Sequence, residues 1–366
     1  MGTLFDYLSW RGDLSFEQVP LGEVDSLILA LLSFVEYKDI VPPEHTASPI
    51  SLVGAATTFF ARNPDFKKLT MGLIVPKGIF KLLREAKNSR RFKNVGLKGY
   101  VNRIDLAEET QFSAVTFVLE TGESVVAFRG TDDTIVGWKE NFNMSFMDVV
   151  PAQKYAKEYL ERVAENTKGP IYIAGHSKGG NLAVYSAISV SPEIQSRIRG
   201  VWCHDGPGFR DVWLKDPRYL NVKAKLRTFV PEASIVGFLL EHEEDYTVVK
   251  SRNKGAWQHD ALNWEIMGGS FVYLEDVSQG SKRTDRITKE WVASLSLEQR
   301  EQFCNACYKL FSSDNALTLT ELTSLKNKWL IKGMELDPEV KKTLLFALRA
   351  LIESNIRVRT QKVLKK

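Results

Sequence analysis

Five consecutive residues near the middle of the chain, Gly175-His176-Ser177-Lys178-Gly179, form a G-x-S-x-G pattern. A serine hydroxyl becomes a nucleophile when a sharp strand-to-helix bend lifts it clear of the main chain beside a base. Glycine two places to either side lets neighbouring backbone approach that bend. The flanks fit, since Ile171-Tyr172-Ile173-Ala174 reads as a short buried strand and the small residues after Gly179 open a helix. At that helix start, unpaired N–H groups and the helix dipole favour an oxyanion. A base would come from one of five histidines: His45, His176, His204, His242 and His259.

The elements that must position these residues follow from patterning. Residues 1–110 read as a mostly helical N-terminal region, with Asp25 placed to cap a helix whose apolar face is Ile28, Leu31, Leu32 and Val35. Val115–Leu119 and Val125–Phe128 are β-branched and aromatic runs, expected to pair across Glu120-Thr121-Gly122-Glu123. Strands recur at Gly200–His204, Leu226–Val230 and Tyr246–Lys250, separated by helical or loop segments that include Ala152–Asn166. This alternation predicts a mainly parallel central sheet covered on both faces, a catalytic core spanning 111–280. A C-terminal helical extension, 281–366, is expected from Glu298–Phe311, Leu319–Leu330 and Pro338–Glu353.

Composition excludes other classes. The chain has 366 residues, 44% hydrophobic and 26% charged, as in ordinary globular proteins. Its formal charge is +4, but residues 347–366 hold six cations against Glu353 alone, leaving the body near neutral. Nucleic-acid binding is therefore not expected, while transient contact of the basic tail with a membrane surface stays open. No secretory signal or membrane-length apolar run is evident, so a cytoplasmic location is expected. Three cysteines, Cys203, Cys304 and Cys307, are too few for a disulfide framework, and Cys304-Asn305-Ala306-Cys307 lacks the second pair a zinc site needs. Neither a metal nor an organic cofactor is called for.

The segment Val125-Val126-Ala127-Phe128-Arg129-Gly130-Thr131-Asp132, together with Gly175-His176-Ser177-Lys178-Gly179-Gly180, resembles the class 3 lipases of the α/β-hydrolase fold. The stretches Tyr7–Asp13 and Asp205-Gly206-Pro207-Gly208-Phe209 also resemble a bacterial family of lipase-like hydrolases with no assigned substrate. The lipase resemblance implies an oxyanion hole from the main-chain N–H groups of Thr131 and Lys178. Triad order in this fold is serine, acid, histidine, with the histidine beyond the last core strand. His259 follows Tyr246–Lys250 and is preferred to His242, which precedes it among acids that read as a solvated face. The lipase pattern wants an aspartate after Leu226–Val230, where this chain has Ser234. The acid is then Asp205, at the end of the preceding strand, or Glu232, with Asp205 ranked slightly ahead. The resulting expectation is a serine esterase acting on a small acyl ester or lipid. The rivals are an acyltransferase using the same residues and a non-catalytic interaction protein that keeps the fold.

Overall fold

A computed structural model describes residues 1–66, 69, 72, 75–242, 244–312, 317–324 and 337–364. The chain enters through helices α1 (Leu4–Arg11) and α2 (Glu23–Leu32), the short strand β1 (Ile50–Ser51), α3 (Leu52–Arg62) and α4 (Ile79–Asn88). Strands β2 (Gly96–Asp105), β3 (Thr110–Val118) and β4 (Ser124–Phe128) form a meander, followed by α5 (Ile135–Asn143) and α6 (Pro151–Glu165). Then come β5 (Ile171–His176), α7 (Lys178–Ser189), α8 (Pro192–Arg197), β6 (Ile198–His204), α9 (Asp211–Leu214), α10 (Pro217–Lys223), β7 (Leu226–Pro231) and β8 (Tyr246–Val249). A small hairpin, β9 (Ile266–Met267) and β10 (Ser270–Phe271), precedes β11 (Tyr273–Leu274), α11 (Gln279–Ala293), α12 (Leu297–Phe311), α13 (Leu319–Ser324) and α14 (Pro338–Leu364). The second half of the helix expected at Leu319–Leu330 lies outside the described residues.

One sheet runs in the order β1-β2-β3-β4-β5-β6-β7-β8-β11. Its centre, β4 to β8, is parallel throughout, and its flanks are antiparallel. With helices on both faces, this is the α/β-hydrolase arrangement. Side chains of a strand alternate between faces, and β4 divides accordingly. Val125 and Ala127 join a cluster with α1 to α4, while Val126 and Phe128 join one with α6 and α7.

The N-terminal helices thus cover one face of the sheet. Helix α2 is buried from Val24 to Leu32 and packs on β4, β5 and β6, which explains its nearly uninterrupted apolar sequence. Asp25 is not its N-cap; it stands at the third helical position, where it accepts from the Gly22 N–H at 2.9 Å. It also takes a bidentate pair from buried Arg91, at 2.7 and 2.6 Å. The basic run Arg90-Arg91-Phe92-Lys93 is therefore partly interior. Strand β2 lies inside the segment read as mostly helical. Its pattern is broken by a register shift between Lys98 and Val101, with Gly99 at φ +67°, and its outer half alternates toward solvent.

Candidate active site

Strand β5 ends at His176, and α7 begins at Lys178. Between them Ser177 has φ 58° and ψ −131°, a strained conformation of the kind found at functional turns. The bend is fixed by the Ser177 N–H donating to the His204 carbonyl at 3.0 Å and by Gly180 N–H donating to the Ser177 carbonyl at 2.8 Å. Both motif glycines are sterically required. A Cβ on Gly175 would lie 2.0 Å from the Gly179 carbonyl oxygen, and one on Gly179 would lie 2.1 Å from that of Phe128.

His259 closes the 3-10 turn Gly255–His259 that follows β8. Its Nδ1 lies 2.6 Å from Oδ2 of Asp205, a fully buried carboxylate just past the end of β6 with φ 50°. The other carboxylate oxygen accepts from the Ser234 hydroxyl at 2.5 Å and the Gly237 N–H at 3.1 Å. Aspartate enters the left-handed region more readily than most residues, and here the distant donors Ser234 and Gly237 hold its side chain in place. Ser234, noticed in the sequence only as the place where an aspartate was missing, thus supports the Asp205 carboxylate, just past the end of the neighbouring strand. Glu232 is bonded elsewhere, its main chain pairing with Val249 and Ser278, and among the described residues it makes no hydrogen bond to His259.

His176 does not merely pack away from the serine. Its Nε2 lies 2.9 Å from the carbonyl oxygen of His259, and the two rings stand 4.7 Å apart, 32° from parallel. Burial, with the nearby His259 second, pushes its pKa down to about 3, so the ring is neutral and carries its proton on Nε2. His242 is not on a solvated face: its Nδ1 lies 3.1 Å from buried Glu244, which also accepts from Thr228 and Tyr219. His204 is structural, bonded to the Ser26 hydroxyl at 2.9 Å and stacked on Phe229. His45 packs on Tyr159 beside Gly99 of β2.

Thr131 follows the Arg129-Gly130 pair, in a loop held by Arg129 donating to Asp132 at 2.9 Å and to Asn102 at 2.8 Å. Lys178 sends its side chain away from solvent, with Nζ 2.6 Å from the Gln111 carbonyl oxygen and 2.9 Å from Glu140 Oε2, both charges fully buried. Its N–H, at the first position of α7, has no intrahelical acceptor. Glu140 also accepts from the Thr110 hydroxyl and the N–H groups of Gln111 and Ala152, so no lone pair is wasted. No local signal marks Glu140 or Ser234, because their partners are 38 and 29 residues away.

Ser177, His259, Thr131 and Lys178 all line one cavity of about 680 Å³. Its other walls are mainly apolar and include Trp138 and Phe142 of α5, Leu239, Trp291 and Val292 of α11, and Phe303 of α12. The C-terminal helices therefore roof the serine, and none of the described lining residues precedes Thr131. Cys304 is buried on the same wall, its thiol pushed up to about 12 by burial, and Cys307 is half-buried; both are free. Among the described residues no group of three His, Cys, Asp or Glu could hold a metal ion.

The sequence pattern of the Mbeg1-like family matches residues 86–309, a span that includes every residue of this constellation. No curated protein matches the chain. Among solved structures, the crystal structure of M37 lipase is similar over 60% of this chain and 70% of that one, at 15% identity and a TM-score of 0.35. A superposition that loose carries no argument about chemistry.

Proposed function

This chain belongs to the Mbeg1-like family, and we propose that it is a serine carboxylic-ester hydrolase whose nucleophile is Ser177. The observation that carries the reading is the 2.6 Å contact between His259 and buried Asp205, with His259 opening into the same cavity as the strained Ser177. A carboxylate on Nδ1 holds that proton there, which leaves Nε2 as the basic face of the ring.

In the proposed reaction the Ser177 Oγ attacks the ester carbonyl while His259 Nε2 takes the hydroxyl proton. The Thr131 and Lys178 N–H groups receive the oxyanion, each such donor being worth about 10²–10³ in kcat. Collapse breaks the C–O bond, and His259 returns the proton to the departing alkoxide as the acyl-enzyme forms. Water then attacks the acyl group, His259 removing its proton, and the acid leaves with Ser177 restored. The Asp205 carboxylate steadies the imidazolium, held in place by the donors on its second oxygen. The apolar walls favour an acyl ester or lipid over a charged substrate.

Among the described residues no helix is long and apolar enough to cross a membrane. A cytoplasmic setting is our reading, supported by the three free cysteines. A fluorophosphonate tests the enzyme reading, because only an activated serine reacts quickly with it. The wild type should be labelled and Ser177→Ala should not; equal labelling would leave a hydrolase fold without hydrolase chemistry.

A further inference from the structure

Helix α14 lies across α11 and α12, the two C-terminal helices that wall the cavity. The Trp291 indole donates to the Ala347 carbonyl at 2.9 Å, and Arg283 donates to Asn355 at 3.2 Å. Ala347, Ala350, Ser354 and Val358, spaced at one or two helical turns, form the buried face. The opposite face should be polar if water were its only neighbour. Instead Leu345, Leu348, Ile352 and Ile356 stand there, each more than half exposed, with Phe346 at the margin and 47% exposed. Scattered exposed leucines are ordinary, but Leu345, Leu348 and Ile352 in one stripe at helical spacing call for a partner.

Charge identifies the partner's chemistry. Lys342 and Arg349 are exposed along the stripe, Lys342 lying 3.8 Å from Glu339 and Arg357 3.9 Å from Glu290, and over Pro338–Arg357 the cations Lys341, Lys342, Arg349 and Arg357 outnumber the helix's acids Glu339 and Glu353. Beyond them the sequence adds Arg359, Lys362, Lys365 and Lys366 without another acid. We propose that this face of α14 docks on an anionic membrane surface, its aliphatic stripe entering the headgroup region and its cations meeting lipid phosphates. An interfacial helix combines an apolar stripe with Lys and Arg in this way, and each cation near an anionic leaflet adds attraction that salt weakens. A second copy of the chain fits less well, because a two-fold contact sets the same basic stripe against itself. The assignment stands independently of catalysis. If the proposed hydrolase reading also holds, docking brings the cavity-roofing helices to a lipid surface.

The test is sedimentation of full-length Ser177→Ala with vesicles of phosphatidylcholine, with and without phosphatidylglycerol, at low and raised salt. The protein should pellet with the anionic vesicles, release with salt, and stay in solution with phosphatidylcholine alone. Leu348→Glu combined with Ile352→Glu should weaken binding at least about tenfold, as should Lys342→Glu combined with Arg349→Glu. Thermal unfolding midpoints near that of Ser177→Ala would show that both variants fold, as expected for exposed positions. Equal binding to both vesicle types, or undiminished binding by the folded variants, would overturn the assignment. So would a free-protein dimer that the Leu348/Ile352 variant splits, since the stripe would then belong to a second copy. None of these readouts depends on whether Ser177 reacts.

Discussion

Replacing Asp205 by asparagine separates holding an imidazole in the right tautomer from merely sitting near it. The geometry dictates how the new amide would lie. Oδ1 of Asp205 receives the Gly237 N–H, a group that can only donate, so the amide oxygen must take that place. The amide NH₂ then faces His259 Nδ1, 2.6 Å away in the parent contact, and can only donate to it. His259 would be driven to carry its proton on Nε2, the atom that has to accept the serine proton. The same change in a well-studied triad lowers turnover ~10⁴-fold with geometry intact, which is about 5.4 kcal/mol of barrier. Asp205→Asn should therefore keep a melting temperature near wild type while kcat on a soluble aryl ester falls by about that factor. Glu232→Gln should cost little, because among the described residues its carboxylate makes no hydrogen bond to His259. A variant that loses stability but retains a tenth or more of its turnover would refute this reasoning and make Asp205 a turn-forming residue. Equal damage from Glu232→Gln would move the acid to β7.

Ser234→Ala removes one of the two donors on Asp205 Oδ1 and leaves Gly237, so kcat should fall by about 10–100-fold, the value of one hydrogen bond to a charge; no change in turnover on the same ester would make the contact incidental. Lys178→Met strands buried Glu140 without its counter-charge and should cost about 3–5 kcal/mol in urea unfolding, with Lys178→Met/Glu140→Gln recovering part of it; equal stability of the single variant and wild type would contradict a charged pair at the elbow. Burial, then nearby His176, lowers the pKa of His204 well below its ordinary 6.5. Between those limits the unfolded chain binds the extra proton, so stability present above pH 6.5 is lost as pH falls. His204→Phe should flatten the unfolding free energy against pH by up to ~1.4 kcal/mol per unit in that window, leaving the part due to His176 and His45, and an unchanged slope would mean that His204 takes up no proton there on unfolding.

What patterning could reveal here was local. The elbow, the strands β3 to β8 and the helix at Leu297–Phe311 each carry their signal within a few residues, as periodicity or as punctuating glycine. Strand β2 was hidden because a register shift and Gly99 interrupt its alternation, and its outer half faces water. Helix α11 was hidden because it is almost wholly polar, with Ile287, Trp291 and Val292 its large apolar residues. The site divides the same way. Ser177 and its glycines announce themselves, and triad order points to His259, but the support of Asp205 by Ser234 joins residues beyond the ends of two neighbouring parallel strands. The contact of His176 with His259 spans 83 residues. The roofing of the cavity by α11 and α12 likewise depends on where the chain returns after β11, which no local pattern encodes.

The central claim is that Ser177 becomes covalently acylated during turnover. Intact-mass and peptide-mass measurement after acid quenching, with a series of activated acyl esters, tests it directly. The account predicts a gain equal to the acyl group, carried by the peptide containing Ser177 and absent from Ser177→Ala. Ester hydrolysis that proceeds undiminished in Ser177→Ala, or an acyl adduct on any other residue in its place, would contradict it.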